Sequence, residues 1–252
     1  MAAPPKPDVA LAQRVLPASL FRVLSHIFEQ GIQGCVLAGG TSLTGFYAGH
    51  RRSDDLDLFT QDPGSQKATV LAVKSLDSIG VKLDIRNDTA QYFAATGKVD
   101  SHLFQVTVVQ DSNLFRVGAV VLLPGNIRVA SLETLFKMKA ATLVSRCSEK
   151  DLYDLIWIFG KYPSRTYADL IKLGNEIDRG VNGEDILSSV SGAILKKSAC
   201  NFALNDSRKA DEIYSGILHF REQLIEGLQK YLEQEPAPPL GALVRKLKRL
   251  RG

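Results

Sequence analysis

In the segment Asp55-Leu56-Asp57-Leu58-Phe59, acids and large apolar residues alternate one for one. A period of two suits a β-strand, in which successive side chains leave on opposite faces. Leu56 and Leu58 then point into a core, and Asp55 and Asp57 share the other face, roughly 7 Å apart by strand rise. The chain is thereby committed to a sheet with one face packed and one face carrying two acids. Two carboxylates so placed are a partial cage for a hard cation. Just upstream, Gly39-Gly40-Thr41-Ser42 reads as a turn whose N–H groups and hydroxyls suit phosphates. The pairing points to Mg²⁺-dependent chemistry on a nucleotide.

The surrounding pattern is α/β. Residues 8–30 have helical periodicity with a break at Pro17, and Cys35–Ala38 is a short apolar run ending in glycines, which predicts a buried strand. Residues 41–48 read as a short helix closed by Gly49, and 56–60 as the acid-bearing strand. A turn at Asp62-Pro63-Gly64 leads to a helix over 66–79 that Gly80 ends. Residues 81–85, 91–95, 103–109 and 119–123 are β-branched or alternating, and read as further strands. From Ser131 onward the periodicity is helical, over 131–146, 151–160, 167–178, 184–198, 208–234 and 240–250, the last after the stiff break Pro236-Ala237-Pro238-Pro239. The expected organisation is a mixed α/β region over 1–130 and a helical region over 131–252.

A strand, a Gly-rich turn, a helix and a strand bearing Asp-x-Asp, in that order, resemble the DNA-polymerase-β-type nucleotidyltransferase superfamily. Gly39-Gly40-Thr41-Ser42-Leu43 followed by Arg51-Arg52-Ser53-Asp54-Asp55-Leu56-Asp57-Leu58-Phe59 is similar to the AbiEii-type nucleotidyltransferases, whose pattern is Gly-Gly-Thr and then Arg-x-Ser-x-Asp-Leu-Asp-Phe. Two later motifs extend the likeness: a helix with a lysine, Leu132-Glu133-Thr134-Leu135-Phe136-Lys137-Met138-Lys139-Ala140, and Lys150-Asp151-Leu152-Tyr153-Asp154-Leu155. The resemblance covers about residues 34–160. It implies a polymerase-β-like mixed sheet, an NTP substrate, and transfer of a nucleoside monophosphate to an acceptor hydroxyl at an RNA or tRNA 3′ end or on a protein. It also implies a toxin–antitoxin setting with an antitoxin protein as partner.

By the same resemblance, Asp55 and Asp57 hold the metal, and Gly39, Gly40, Thr41, Ser42, Arg51 and Ser53 bind the nucleotide. Lys139 faces the triphosphate, and Asp151 is a carboxylate near the site, a candidate general base. The bland readings stand beside these. Gly-Gly-Thr-Ser is also an ordinary tight turn, and Arg51 could pair with Asp54 or Asp55. Lys139 lies in an apolar stripe with Leu132, Phe136 and Leu143, where lysine is uncommon unless partnered or snorkelling, while Lys137 falls off the stripe and reads as solvent-exposed. Asp151 stands at capping-box spacing from Ser148. The superfamily's third carboxylate, expected on a later strand, is replaced by Gln105, with Asp84 as a substitute on another strand. The competing function is therefore a nucleotide- or RNA-binding module that has lost turnover.

Composition limits the remaining choices. No apolar run approaches the roughly 18 residues of a membrane helix, and the N-terminus lacks a signal-type stretch, so the expectation is a cytoplasmic protein without membrane association. Cys35, Cys147 and Cys200 are too few and too scattered for a disulfide framework. The net charge is +4, yet the stretch from Pro239 to Gly252 holds Arg245, Lys246, Lys248, Arg249 and Arg251 and no acid. A basic C-terminal helix with an apolar face of Leu240, Leu243, Val244 and Leu247 is expected, either as a plain solvated face or as a surface for a polyanion.

Overall fold

The computed structural model describes residues 5–204 and 209–250. The chain divides between Leu135 and Phe136 into two compact units.

The first unit, Lys6–Leu135, is built on one seven-stranded sheet. Its strands are β1 (Cys35–Ala38), β2 (Asp55–Thr60), β3 (Lys82–Asp88), β4 (Tyr92–Val99), β5 (His102–Gln110), β6 (Val120–Leu122) and β7 (Arg128–Ala130), in the order β3-β4-β5-β2-β1-β7-β6. The acid-bearing β2 is central, antiparallel to β1 and parallel to β5. Its burial alternates as its sequence does, with Leu56 and Leu58 fully buried and Asp55 and Asp57 half-buried.

Helices α1 (Val9–Val15) and α2 (Ala18–Glu29) precede the sheet, with Pro17 as the break between them. α4 (Pro63–Lys74) opens with Asp62 as its cap and Pro63 in the first turn. The Asp-Pro-Gly segment expected to be a plain turn is thus the helix start itself, since proline's fixed φ and missing N–H cost nothing there. A 3₁₀ turn, Ser75–Ile79, follows and ends at Gly80 with φ +84°. Two short elements carry no readable period: α5 (Ser112–Val117), capped by Asp111, and the three-residue β7.

The helix read over 41–48 is in fact α3 (Gly39–Leu43), which begins two residues earlier and runs into a π-helical turn, Thr44–Ala48, closed by Gly49 at φ +57°. π-turns often mark functional sites. Here the turn's threonine reaches the following loop: Thr44 Oγ1 donates to the Arg51 carbonyl at 3.1 Å and meets His50 Nδ1 at 3.2 Å.

The second unit, Phe136–Gly252 with Pro5, is helical. α6 (Leu132–Ser145) spans the division, followed by α7 (Glu149–Lys161), α8 (Tyr167–Ile177), α9 (Gly183–Gly192), α10 (Ala210–Leu232) and α11 (Leu240–Leu243). Rings of Phe136, Phe159 and Phe220 stack through its core at centroid separations of 5.8 and 5.6 Å. The helix expected over 184–198 stops at Gly192, and only a 3₁₀ turn, Lys197–Cys200, follows. Of the helix expected over 208–234, Arg208 lies outside the described residues.

The expected basic C-terminal helix is a correction. It is α11 followed by a kinked 3₁₀ segment, Arg245–Leu250. Packing bends it: Gly241 lies directly on Pro163, and Leu250 tucks against Gly216 of α10. Leu240, Leu243, Val244 and Leu250 are buried, and Arg245 and Lys246 are exposed. Nothing is described of the side chains of Lys248 and Arg249, and Arg251 lies outside the described residues. Among the described residues no helix is long and apolar enough to cross a membrane.

Candidate functional site

In the first unit, the Gly39 turn leaves the end of β1 and sits against β2, because the β1–β2 register sets Ala38 opposite Asp57. Gly39 adopts φ +65°, and the Asp57 carboxylate fills the space its Cβ would need. Gly40 likewise lacks a Cβ where Arg51 Nη2 would lie 2.5 Å away. The two glycines are thus the gap through which Asp57 and Arg51 reach the turn. α3 has no side-chain cap, so the N–H groups of its first turn have no intrahelical acceptor.

Thr41 is fully buried, and its hydroxyl bonds the Ser53 hydroxyl at 2.9 Å and the Asp55 carbonyl. It ties the turn to the start of β2, so its side chain is occupied in holding the frame. Ser42, also fully buried, has an Oγ with no hydrogen-bond partner. Arg51 is 2 % exposed and donates from Nη1 to the Arg52 carbonyl at 2.8 Å. Asp54 faces His102 at 3.3 Å.

On the open side of β2, Asp57 Oδ1 accepts a hydrogen bond from Thr107 Oγ1 at 3.1 Å. The parallel register with β5 sets Asp55 beside Gln105 and Asp57 beside Thr107. Gln105 is exposed and stands next to Asp55, where the third acid was expected. Asp84 cannot replace it. Asp84 pairs with Thr96, which pairs with Gln105, so Asp84 lies three strands from Asp55, about 14 Å by strand spacing. Its carboxylate is bound to Arg86 at 2.7 Å.

Among the described residues no group of three or more His, Cys, Asp or Glu side chains could hold a metal. Two carboxylates, a turn of free N–H groups and an orphaned buried hydroxyl suit Mg²⁺ nevertheless, because Mg²⁺ keeps several waters and shares its remaining positions with substrate phosphates.

The second unit has its own polar cluster. Lys139 Nζ lies 2.8 Å from both Asp151 Oδ1 and Asp154 Oδ2, and all three residues are buried. Asp151 also closes a capping box with Ser148: its Oδ2 accepts from the Ser148 hydroxyl at 2.6 Å, and its own N–H donates to Ser148 Oγ. Burial alone would raise the Asp151 carboxyl. The charge and hydrogen bond of Lys139, the Ser148 hydroxyl and the charge of Arg146 outweigh it and hold the group below its ordinary value. Asp154, which a capping argument on the sequence passes over, is an equal partner of Lys139, and its three-residue spacing from Asp151 was the available signal. Lys137, expected to be solvent-exposed, is paired with Glu176 at 2.6 Å with its side chain 13 % exposed.

A family model described as the nucleotidyl transferase AbiEii toxin of type IV toxin–antitoxin systems matches residues 22–180, well over half of the chain. Among solved structures, MenT4, a nucleotidyltransferase toxin from Mycobacterium tuberculosis H37Rv, aligns at 17 % identity with a TM-score of 0.51, over 96 % of each chain. JHP933 from Helicobacter pylori aligns at 16 % identity with a TM-score of 0.47, over 88 % of this chain and 95 % of that one. A search of curated proteins finds no match.

Proposed function

This chain belongs to the AbiEii nucleotidyltransferase toxin family of type IV toxin–antitoxin systems, and on that premise we propose that it uses Mg²⁺ to transfer a nucleoside monophosphate from an NTP to an acceptor hydroxyl at an RNA 3′ end, tRNA among them, or on a protein. The observation that carries the proposal is the Asp57 carboxylate lodged over the Cβ-less Gly39, beside an α3 start whose N–H groups have no side-chain cap.

In this reading, Asp55 and Asp57 hold Mg²⁺, and the backbone from Gly39 to Ser42 receives the phosphates. The Ser42 hydroxyl gains the partner it lacks, Arg51 adds positive charge beside Gly40, and Ser53 acts through Thr41 to fix the turn. The bound ion supplies charge neutralisation at the phosphates. The acceptor oxygen forms a bond to the α-phosphorus as the bond to the β-phosphate oxygen breaks. Pyrophosphate leaves, and the hydroxyl proton passes to water. The protein's part is positioning and electrostatic stabilisation. Lys139, salt-bridged to Asp151 and Asp154, carries a separate proposal: it contributes positive charge to the triphosphate, and Asp151 assists the acceptor or orients the lysine. An antitoxin protein is the proposed regulator, and the cytoplasm the proposed location.

Gln105 supports a second reading, in which nucleotide or RNA binds and turnover is weak. One experiment separates the two. Each of four labelled NTPs is incubated with total RNA and with total protein, using the wild type and an Asp55→Ala/Asp57→Ala double variant. Label transferred by the wild type alone supports the enzyme. Mg²⁺-dependent NTP binding by calorimetry without transfer to any acceptor supports the binding module. Equal transfer by both proteins removes the two acids from the mechanism.

A further inference from the structure

The open face of the sheet continues past Asp55 toward the edge strand. One row crosses Asp55, Gln105, Thr96 and Asp84 on β2, β5, β4 and β3. The adjoining row on the same face holds Leu103 on β5, Lys98 on β4 and Lys82 on β3. Lys82 and Lys98 are direct partners in the antiparallel register, and both are exposed. Side chains so opposed have Cβ atoms about 5 Å apart, and like charges there are destabilising. Among the described residues no acid pairs with either lysine: Asp84 is taken by Arg86, and Asp100 in the neighbouring hairpin turn by Arg22 at 2.7 Å. Leu103, opposite Lys98, is 61 % exposed.

Protection of a sheet edge from self-association explains a lysine on an edge strand. It accounts for Lys82 on β3, but not for Lys98 on β4, which is flanked on both sides. An opposed, unneutralised pair of cations beside an exposed apolar side chain suits a ligand that brings a phosphate together with a flat apolar ring. A single nucleic-acid strand offers both. Lys98 is two strands and two residues from Asp55, on the order of 10 Å.

We propose that Lys82, Lys98 and Leu103 form a docking surface for single-stranded RNA, with a backbone phosphate between the two ammonium groups and a base against Leu103. The choice of the strand's 3′ end as the part lying toward Asp55 rests on the nucleotidyl-transfer reading above. The surface itself does not. It deepens that reading by selecting RNA over protein as the acceptor and by giving the approach path, over Gln105 and Thr96.

The test uses the full chain and a single-stranded RNA labelled at its 5′ end with a free 3′-hydroxyl, without NTP, and follows binding by fluorescence anisotropy over a range of salt. Lys82→Glu/Lys98→Glu is expected to bind at least about tenfold more weakly, with a log–log salt slope shallower by about 1.4, since each phosphate contact on a single strand contributes about 0.7. Lys82→Glu alone places opposite charges in register, so it is expected to melt at or above the wild-type temperature while binding RNA more weakly. Folding damage therefore cannot account for that loss. Wild-type affinity and slope in the double variant would overturn the surface, and so would displacement of the RNA by poly-glutamate at equal charge concentration, which would point to an acidic protein segment. A wild type that binds this RNA through the lysines yet transfers no nucleotide from any NTP defeats the transfer reading and leaves the surface standing.

Discussion

Gly39 meets two separate demands. Its φ of +65° lies in the left-handed region, and the Asp57 carboxylate occupies the position its Cβ would take. For an alanine the left-handed conformation costs about 1–2 kcal/mol, and the new methyl must also displace Asp57. Gly39→Ala is therefore expected to lower stability by about 1–2 kcal/mol in urea unfolding and to abolish NTP-dependent transfer, a loss far beyond what the stability change explains. Unchanged transfer would show that the carboxylate position is unimportant. The sequence displays the glycine and the acid, but not that they are stereochemically coupled, because their contact depends on the register of β1 against β2. Thr41 illustrates the same limit. Its place in a phosphate-type turn is plain in the sequence, whereas the hydrogen bonds that occupy its hydroxyl lie twelve and fourteen residues away along the chain.

At the scale of the element, Asp-x-Asp alternation is enough to identify β2 and its buried face, and the Pro17 break and the Asp62 and Ser148 caps are local signals of the same kind. β7 and α5 are too short to show a period, and the π-turn after α3 adds a residue per turn that no spacing reports. Row partners across a sheet are equally silent in a single sequence. The β2–β5 register is what sets Gln105 beside Asp55. Its exposure makes a carboxylate acceptable there, and on that geometry Gln105→Asp is expected to raise the transfer rate and to lower the Mg²⁺ concentration giving half-maximal activity. Rates and Mg²⁺ dependence indistinguishable from wild type would show that the two-acid site is already complete. In α7, Ser148 caps the helix and also donates to Asp151. Ser148→Ala should cost about 0.5–2 kcal/mol, the usual loss at an N-cap, and a glycine there, which restores helix-start geometry without the hydroxyl, should recover only part of it by calorimetric melting.

At the scale of the whole molecule, the buried Lys139–Asp151–Asp154 cluster couples stability to pH. The periodicity of α6 exposes the anomaly of a lysine in an apolar stripe, but not its solution, which needs α7 folded against it. Removing the lysine leaves two acids buried without their shared cation, so Lys139→Met should cost about 3–5 kcal/mol. The pH dependence follows from the same contacts. The Asp151 carboxyl is held below its ordinary value in the folded protein, so the unfolded chain binds a proton at higher pH than the native one does. The stabilisation is complete above the ordinary carboxylate range, declines as pH falls below it, and is gone once pH has passed through the lowered native value. Wild-type unfolding free energy should accordingly fall with acidification across that window, measured by urea denaturation at a series of pH values. In a Lys139→Met/Asp151→Asn/Asp154→Asn variant, which removes the charges together and avoids an orphaned ion, the acid slope should be shallower, whatever its stability at neutral pH. A slope as steep as the wild type's would assign the acid sensitivity to other carboxylates and leave the cluster a purely packing role.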